Sequence, residues 1–263
     1  MTAFRILRWG DESLPAVVCL HDLGGHARRF ERLARMLESG RHVVAYDLRG
    51  HGRSPWSGPH TWEQHLEDLD DVLAALNIDQ TGVIGDGLGG RLAIAYAADR
   101  QERISSLTLL DPPLRPPAPG GPVHRTALNE DPGYPSVDAA IQELGDRLAL
   151  RHTPRALLEE EMAEHLIADE EGRFHYRYSK AAADADLQLL EDADIPLEEV
   201  LCPTLIVHGR ESSWVSEGDI EAAEEAIRRC RVETVPGSHA VLWDALAETS
   251  AHVRSFLVAR KIA

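Results

Sequence analysis

A glycine-rich turn between a predicted strand and a predicted helix is where this chain could do chemistry. Residues 81–84 favour a strand, residues 85–90 hold four glycines, and residues 91–98 favour a helix. Gly85 and Gly89 have the spacing of the flanking glycines in GxSxG, the motif that lifts a nucleophilic serine above a sheet. The apex residue is Gly87, which has no side chain. The sequence therefore predicts the turn of a nucleophilic enzyme without its nucleophile.

Three further segments follow predicted strands and could act together with that turn. The first is HDLGG at 21–25, whose backbone N–H groups could bind an oxyanion. The second is DLRGHGRS at 47–54, and the third is PGSHAV at 236–241, which presents His239. Histidine is the side chain most often used as a general base near neutral pH.

These four segments, in this chain order, resemble the motifs of the α/β-hydrolase superfamily, in particular its serine esterase and lipase branch. The resemblance implies an α/β-hydrolase fold and catalysis by a triad. It implies that the N–H groups of Leu23 and Leu88 form the oxyanion hole and that His239 is the catalytic histidine. Both oxyanion donors are backbone groups, so Gly87 does not remove them.

The resemblance leaves two positions for the carboxylate that orients His239. In many relatives the acid follows the penultimate strand, but here Ser212 stands at that position. In others the acid ends the strand before the lid, as Asp111 does here. We expect Asp111 to be the triad acid, with Glu211 as the second choice. Asp111 could instead only cap the turn into Pro112.

Gly87 permits three interpretations. We expect an impaired hydrolase of a small-molecule ester, thioester, lactone or related acyl bond, an inactive variant in which glycine replaces the serine. In the second interpretation Gly87 is natural, and a His239/Asp111 general base supports direct hydrolysis, lyase or cyclase chemistry. In the third the chain is a non-catalytic ligand-binding protein that kept the pocket.

Three more side chains are expected near the substrate. Asp86 is out of register to replace the nucleophile, because Ile84 and Leu88 would flank it where small residues are needed, so we expect it at the pocket floor. Asp22 departs from the second glycine of the HGxxG turn. Trp214 could line the pocket or pack between lid and body.

A rival fingerprint overlaps the same turn. Residues 85–90 also match GxGxxG, and Asp111 stands where a ribose-binding acid could lie, as in dinucleotide-binding proteins. That fingerprint normally opens the first strand unit, whereas two units precede it here, so we expect no cofactor. We also expect no metal, because HExxH or comparable ligand spacing is absent among His21, His26, His51, His60 and His65.

Short β-branched runs alternate with helical segments and predict a mainly parallel sheet flanked by helices. The runs lie at 16–20, 42–46, 82–84, 106–110, 204–207 and 232–235. A helix is predicted over 61–77, with a capping box between Thr61 and Gln64. A proline-rich exit after residue 111 and helices around 139–150 and 154–167 predict a lid. The predicted organisation is a core at 1–111 and 200–263 with a helical lid at 112–199.

Composition limits the partners and the compartment. Among 263 residues, 44 are acidic and 27 basic, a formal net charge of −17, which disfavours nucleic acid and anionic membranes and favours a small-molecule substrate. Three cysteines form no paired framework. Charges interrupt the apolar residues 1–9, unlike a signal peptide or a spanning helix. We expect a cytoplasmic protein without membrane insertion; the composition leaves its substrate and oligomeric state open.

Overall fold

The computed structural model describes residues 4–115, 133–147, 150, 152–192 and 195–258. Its strands are β1 Ile6–Trp9, β2 Ala16–Leu20, β3 His42–Tyr46, β4 Thr81–Asp86, β5 Ile104–Leu110, β6 Leu166–Ala168, β7 Phe174–Tyr176, β8 Thr204–Gly209 and β9 Cys230–Val235. Seven of them form one sheet in the order β1-β3-β2-β4-β5-β8-β9. Only the β1–β3 pairing in this sheet is antiparallel. The predicted α/β fold with a mainly parallel sheet is confirmed.

Helices flank this sheet and connect its parallel strands. They are α1 Glu31–Leu37, α2 Trp62–Ala75, α3 Leu88–Asp99, α4 Val137–Arg147, α5 Arg155–His165, α6 Lys180–Asp192, α7 Glu217–Ala226, α8 Val241–Asp244 and α9 Leu246–Val258. Short 3-10 helices lie at Ala27–Phe30, Gln101–Arg103 and Leu197–Glu199. Parallel strands need such crossovers, because a tight turn cannot return the chain to the same end of the sheet.

The inner strands are buried along most of their length, which explains their largely apolar sequences. All five residues of β3 and all six residues of β4 are buried. The edge strand β9 is only partly buried. Helices cover both faces of a parallel sheet, so its inner strands do not alternate between apolar and polar residues. The polar residues that end these strands must therefore lie at the rim of the sheet.

The segment between β5 and β8 differs in detail from its prediction. Its described part holds α4, α5 and α6 and the antiparallel hairpin of β6 and β7. The helix expected to reach residue 167 ends at His165, because Leu166 begins the hairpin and pairs with Tyr176. The proline tract at 116–122 lies outside the described residues.

Two other predictions need correction. Thr61 caps α2 by accepting the Gln64 N–H at 3.2 Å, but the Gln64 side chain bonds to Glu67 and Asp68, so only half of the capping box forms. The four-residue edge strand β1 escaped the sequence pattern because it is short and carries Arg8. Among the described helices, none combines the length and apolar character needed to cross a membrane.

Candidate active site

The turn after β4 has the backbone of a nucleophile elbow. Gly87 is the N-cap of α3, with φ +50° and ψ −115°, a conformation that L-residues with side chains rarely adopt. A side chain on Gly89 would overlap the backbone of Leu20 on the neighbouring strand. Glycine at this position therefore lets α3 pack closely on the ends of β2 and β4.

A carboxylate from another strand fills the space above that elbow. A Cβ atom at Gly87 would overlap Oδ1 and Cγ of Asp22, the residue that departs from the HGxxG pattern. Asp22 follows β2, and β2 pairs with β4 so that Leu20 lies opposite Gly85. The two departures from the family's motifs, at Asp22 and at Gly87, thus meet at one point in space.

Asp22 occupies the position expected for the oxyanion. Its Oδ1 accepts the Leu88 N–H at 2.8 Å, and its Oδ2 lies 3.4 Å from His239 Nε2. Burial opposes ionisation of Asp22, but His239 and the Leu88 N–H outweigh it and lower the pKa of the carboxyl to about 2. A negative charge rests where a developing oxyanion would bind.

His239 lies between two carboxylates. Its Nδ1 is 2.8 Å from Asp111 Oδ2, on the side opposite Asp22. Burial alone would lower the pKa of His239, but hydrogen bonds to Asp111 and Asp22 and their charges raise it well above its usual value. The ring stacks on Trp214, with centroids 5.2 Å apart. The two flanking carboxylates therefore favour the protonated imidazolium form of His239.

Asp111 is fully buried and satisfied by several donors. Its Oδ1 lies 2.7 Å from His208 Nδ1 and accepts the Gly209 N–H at 3.0 Å. Ser212, which stands where many relatives carry the acid, donates its hydroxyl to Asp111 Oδ2 at 2.6 Å. Burial would raise the pKa of Asp111, but hydrogen bonds from His208 and His239 lower it. These bonds fix the carboxylate that orients His239.

Glu211, the second choice for the acid, is placed elsewhere. Its side chain is exposed, and Oε1 lies 3.4 Å from His152 Nε2 rather than against His239. Asp111 reaches His239 because β5, β8 and β9 are successive parallel neighbours that end at the same rim, and His239 lies in the turn after β9. The left-handed backbone of Asp111, with φ +42°, turns its side chain into the site; aspartate tolerates such a conformation better than most residues.

Asp86 lies below the elbow, at the end of β4. It is buried and lines a very small cavity together with Asp22 and His239. Burial, and secondarily the negative charge of Asp22, raises the pKa of Asp86 to about 7. Burial thus favours the protonated form of Asp86, which lies next to the pair of Asp22 and His239.

A small pocket lies above these groups, and Asp22, Leu23, Trp214 and His239 are among the residues that line it. Sequence reasoning missed three lining residues that carry a charged or imidazole side chain: Arg29, Glu161 and His165. Arg29 lies 2.7 Å from Glu161 and 4.5 Å from the Trp243 ring centre. Arg29 and Glu161 are 132 positions apart, so their pairing produces no recognisable local pattern in the sequence.

Two clusters of described residues could hold a metal ion. One comprises His26, Glu161 and His165, and the other comprises His60, His65 and Asp186; in each, the ligand atoms lie within 4.8 Å of one another. The expectation of no metal depended on the spacing of possible ligands along the chain. That spacing cannot reveal residues that are far apart in sequence and meet only in the fold.

The dinucleotide interpretation fits this geometry poorly. In that fold the pyrophosphate lies on the N–H groups at the start of the helix after the glycine turn. Here the Asp22 carboxylate already accepts the Leu88 N–H at 2.8 Å. Its negative charge would repel a phosphate at the same place.

Comparison with known proteins agrees with this fold. The model of the alpha/beta hydrolase fold family matches residues 15–246. Lipase LipV of Mycobacterium tuberculosis is 32% identical over 182 residues, which cover 68% of this chain and 67% of LipV. The mouse (Mus musculus) sn-1-specific diacylglycerol lipase ABHD11 is 26% identical, covering 94% of this chain and 82% of that protein.

The solved structure of E-2-(acetamidomethylene)succinate hydrolase superposes with a TM-score of 0.82 at 21% identity, over 97% of this chain and 95% of that chain. At that identity the likeness concerns the fold. The family match spans the elbow, Asp111 and His239. The relatives named here are hydrolases, which agrees with a hydrolase of this fold. The chain belongs to the α/β-hydrolase fold family.

Proposed function

We propose that this chain hydrolyses a small-molecule ester, thioester, lactone or related acyl bond without a serine nucleophile, and that Gly87 is its natural residue. One observation carries the proposal: the Asp22 carboxylate fills the space in which a side chain at position 87 would begin. Glycine at 87 and aspartate at 22 fit one another. A serine-to-glycine mutation at position 87 alone would not explain why position 22 also departs from its motif, with a side chain that fills the same space.

The catalytic base in this proposal is Asp22, and the acid is His239. A substrate carbonyl oxygen takes the Leu88 N–H and displaces Asp22 Oδ1, which removes one of the donors that keep the pKa of Asp22 low. The displaced carboxylate takes a proton from water as the water oxygen bonds to the acyl carbon. His239 protonates the leaving oxygen, or the leaving sulfur of a thioester, as the tetrahedral intermediate collapses and the bond from this atom to the acyl carbon breaks. The proton on Asp22 then passes to His239, 3.4 Å away, and restores the resting pair.

The surrounding residues serve this exchange. Asp111 keeps His239 oriented and stabilises its charge. The stacked ring of Trp214 limits the movement of the imidazole. We further propose that residues 112–199 act as the lid over a core formed by 1–111 and 200–263, because Glu161 and His165 of α5 line the same pocket as His239. The lid residues would then select the substrate.

The test compares the unaltered protein with Asp22→Asn on panels of p-nitrophenyl esters, thioesters and lactones. Loss of a general base should lower kcat/KM by about 10²–10⁴-fold. Asp169→Asn is a matched control, because Asp169 also pairs with a histidine, His175, at 2.8 Å but in the β6–β7 turn. The control should keep the original rate. If Asp22→Asn hydrolyses the same substrates as fast as the unaltered protein, the proposal is wrong.

Isotope labelling separates a base from a nucleophile at Asp22. In H₂¹⁸O, a general base delivers labelled oxygen to the product from the first turnover and leaves Asp22 unlabelled. An attacking carboxylate would give an unlabelled first product and would itself acquire ¹⁸O over repeated turnovers. Mass analysis of the peptide that contains Asp22 distinguishes the two outcomes, and we expect no label there.

A further inference from the structure

A buried cluster of two histidines and one carboxylate lies where α6 meets the start of α2. Asp186 on α6 is completely buried, His65 on α2 is 3% exposed, and His60 just before α2 is partly buried. One ligand atom from each residue lies within 4.8 Å of the others. The cluster lines neither the pocket nor the cavity of the candidate active site.

Three of the six side-chain polar atoms of this cluster are buried without a hydrogen-bond partner. His65 Nε2 lies 3.0 Å from Asp186 Oδ1. The other carboxylate oxygen, Asp186 Oδ2, is buried without a hydrogen bond, and so are Nδ1 of His65 and Nδ1 of His60. Buried polar atoms are nearly always satisfied, and a buried carboxylate needs a compensating charge. Three unpartnered atoms on side chains whose ligand atoms lie this close together suggest that the cluster binds a ligand.

The neighbouring side chains cannot supply that ligand. His51 Nδ1 is 3.8 Å from Asp186 Oδ2, but His51 Nε2 accepts the Gly24 N–H at 3.0 Å, so its proton is on Nδ1 and is donated to the Arg49 carbonyl at 3.1 Å. The Arg49 guanidinium is paired with Asp68, with Nε to Oδ2 at 2.8 Å. The donors of His51 and Arg49 are therefore already used.

The second cluster provides an internal contrast. Glu161, with His26 and His165, offers a similar set of ligand atoms. There, however, the Arg29 guanidinium lies 2.7 Å from Glu161 Oε1 and supplies the positive charge. A metal ion at that site would have to displace Arg29 or tolerate its repulsion. In the described part of the chain no guanidinium pairs with Asp186, whose ionic neighbours are histidines.

We propose that His60, His65 and Asp186 bind one divalent transition-metal ion. Two imidazole nitrogens and one carboxylate oxygen suit Zn²⁺ and its neighbours in the first transition row, whereas Mg²⁺ and Ca²⁺ prefer all-oxygen sites. At metal–ligand distances of about 2.1 Å, tetrahedral ligand atoms stand roughly 3.4 Å apart. The cluster needs only side-chain adjustment to reach this geometry.

Such an ion would join α6 to the core beside the loop at 47–54. Gly50 already accepts the Ser179 N–H at 2.7 Å, and Gly52 donates to the Arg177 carbonyl at 2.8 Å. The ion would add a link between α6 and α2 next to these two hydrogen bonds. Its function is then to fix the segment between β5 and β8 on the core, independently of the hydrolysis proposed above.

The test is Zn²⁺ binding by the full chain after chelator treatment, followed by calorimetry and, with Co²⁺, by the visible absorption of the bound ion. We expect one Zn²⁺ per chain. At free Zn²⁺ about 100-fold above Kd, the melting temperature should rise by about 5–10 °C. Asp186→Asn and His65→Gln should weaken binding by about 100-fold or more. Glu161→Gln is the matched control and should bind Zn²⁺ like the unaltered chain.

Several results would overturn the proposal. One is no Zn²⁺ or Co²⁺ binding by the unaltered chain at micromolar concentrations. Another is binding that persists in Asp186→Asn but disappears in Glu161→Gln, which would place the ion at His26 and His165 instead. If the buried variants fail to fold, His60→Gln at the edge of the cluster decides: it must weaken Zn²⁺ binding about 10-fold or more while the circular dichroism spectrum stays unchanged.

Discussion

The fit between Gly87 and Asp22 predicts how a serine at the elbow would behave. In Gly87→Ser the new Cβ overlaps Asp22 Oδ1, so the carboxylate and the serine compete for one space. The carboxylate also competes for the two groups that a serine hydrolase needs, the Leu88 N–H at 2.8 Å and His239 Nε2 at 3.4 Å. We therefore expect Gly87→Ser alone to be a poor serine hydrolase. The double variant Asp22→Gly/Gly87→Ser, which restores both family motifs, should be a better one.

The size of the effect follows from the charge of Asp22. A carboxylate about 4 Å from a tetrahedral oxyanion destabilises it by about 4 kcal/mol at the effective dielectric constant of a protein surface. Asp22 is 18% exposed, so water screens this repulsion only partly. An energy of about 4 kcal/mol corresponds to about 10³-fold in rate. The double variant should thus exceed Gly87→Ser in kcat/KM by about 10³-fold.

The assay combines p-nitrophenyl acetate hydrolysis with covalent labelling by a fluorophosphonate probe. The introduced serine should be labelled rapidly in the double variant and slowly in Gly87→Ser, whereas Asp22→Gly alone should not be labelled because it has no serine at the elbow. The coupling between the two sites is read from the double-mutant cycle. Equal labelling and equal turnover by Gly87→Ser and by the double variant would refute competition between Asp22 and a side chain at 87.

Two further predictions concern the neighbouring carboxylates. Asp111→Asn should lower the turnover of the double variant by about 10⁴-fold, because an amide holds the histidine in the wrong tautomer. Glu211→Gln should leave the turnover unchanged. If instead Glu211→Gln abolished turnover and Asp111→Asn did not, Glu211 would be the triad acid. Burial raises the pKa of Asp86 from an ordinary aspartate value of 3.8 to about 7 in the folded chain. Between these two pH values the folded chain therefore holds a proton on Asp86 that the unfolded chain has lost. The free energy of unfolding should fall as pH rises from about 4 to 7, by about 4 kcal/mol. In Asp86→Asn, urea unfolding at pH 5 and pH 8 should no longer show this pH dependence of stability, and the variant should be more stable than the unaltered chain at pH 8. An unchanged pH dependence would assign the titration to another group.

The sequence was most informative where chemistry and backbone geometry act locally. The strands Ala16–Leu20 and His42–Tyr46 were predicted with their observed bounds, because buried parallel strands give uninterrupted β-branched runs. The glycine spacing predicted the elbow, since only glycine permits that close approach of α3 to β2. The short strand β1 and the β6–β7 hairpin were missed, because few residues carry a weak periodic signal.

The sequence by itself also pointed to His239, to Asp111 and to the gap at Gly87 as the residues that matter. Only the tertiary structure decided what fills the gap. Asp22 and Gly87 are 65 positions apart, and the pairing of β2 with β4 brings them together. The same holds for Asp186 and His65, 121 positions apart. Spacing along a chain records contacts within one turn or strand, whereas the charges that surround a site depend on which strands and helices become neighbours.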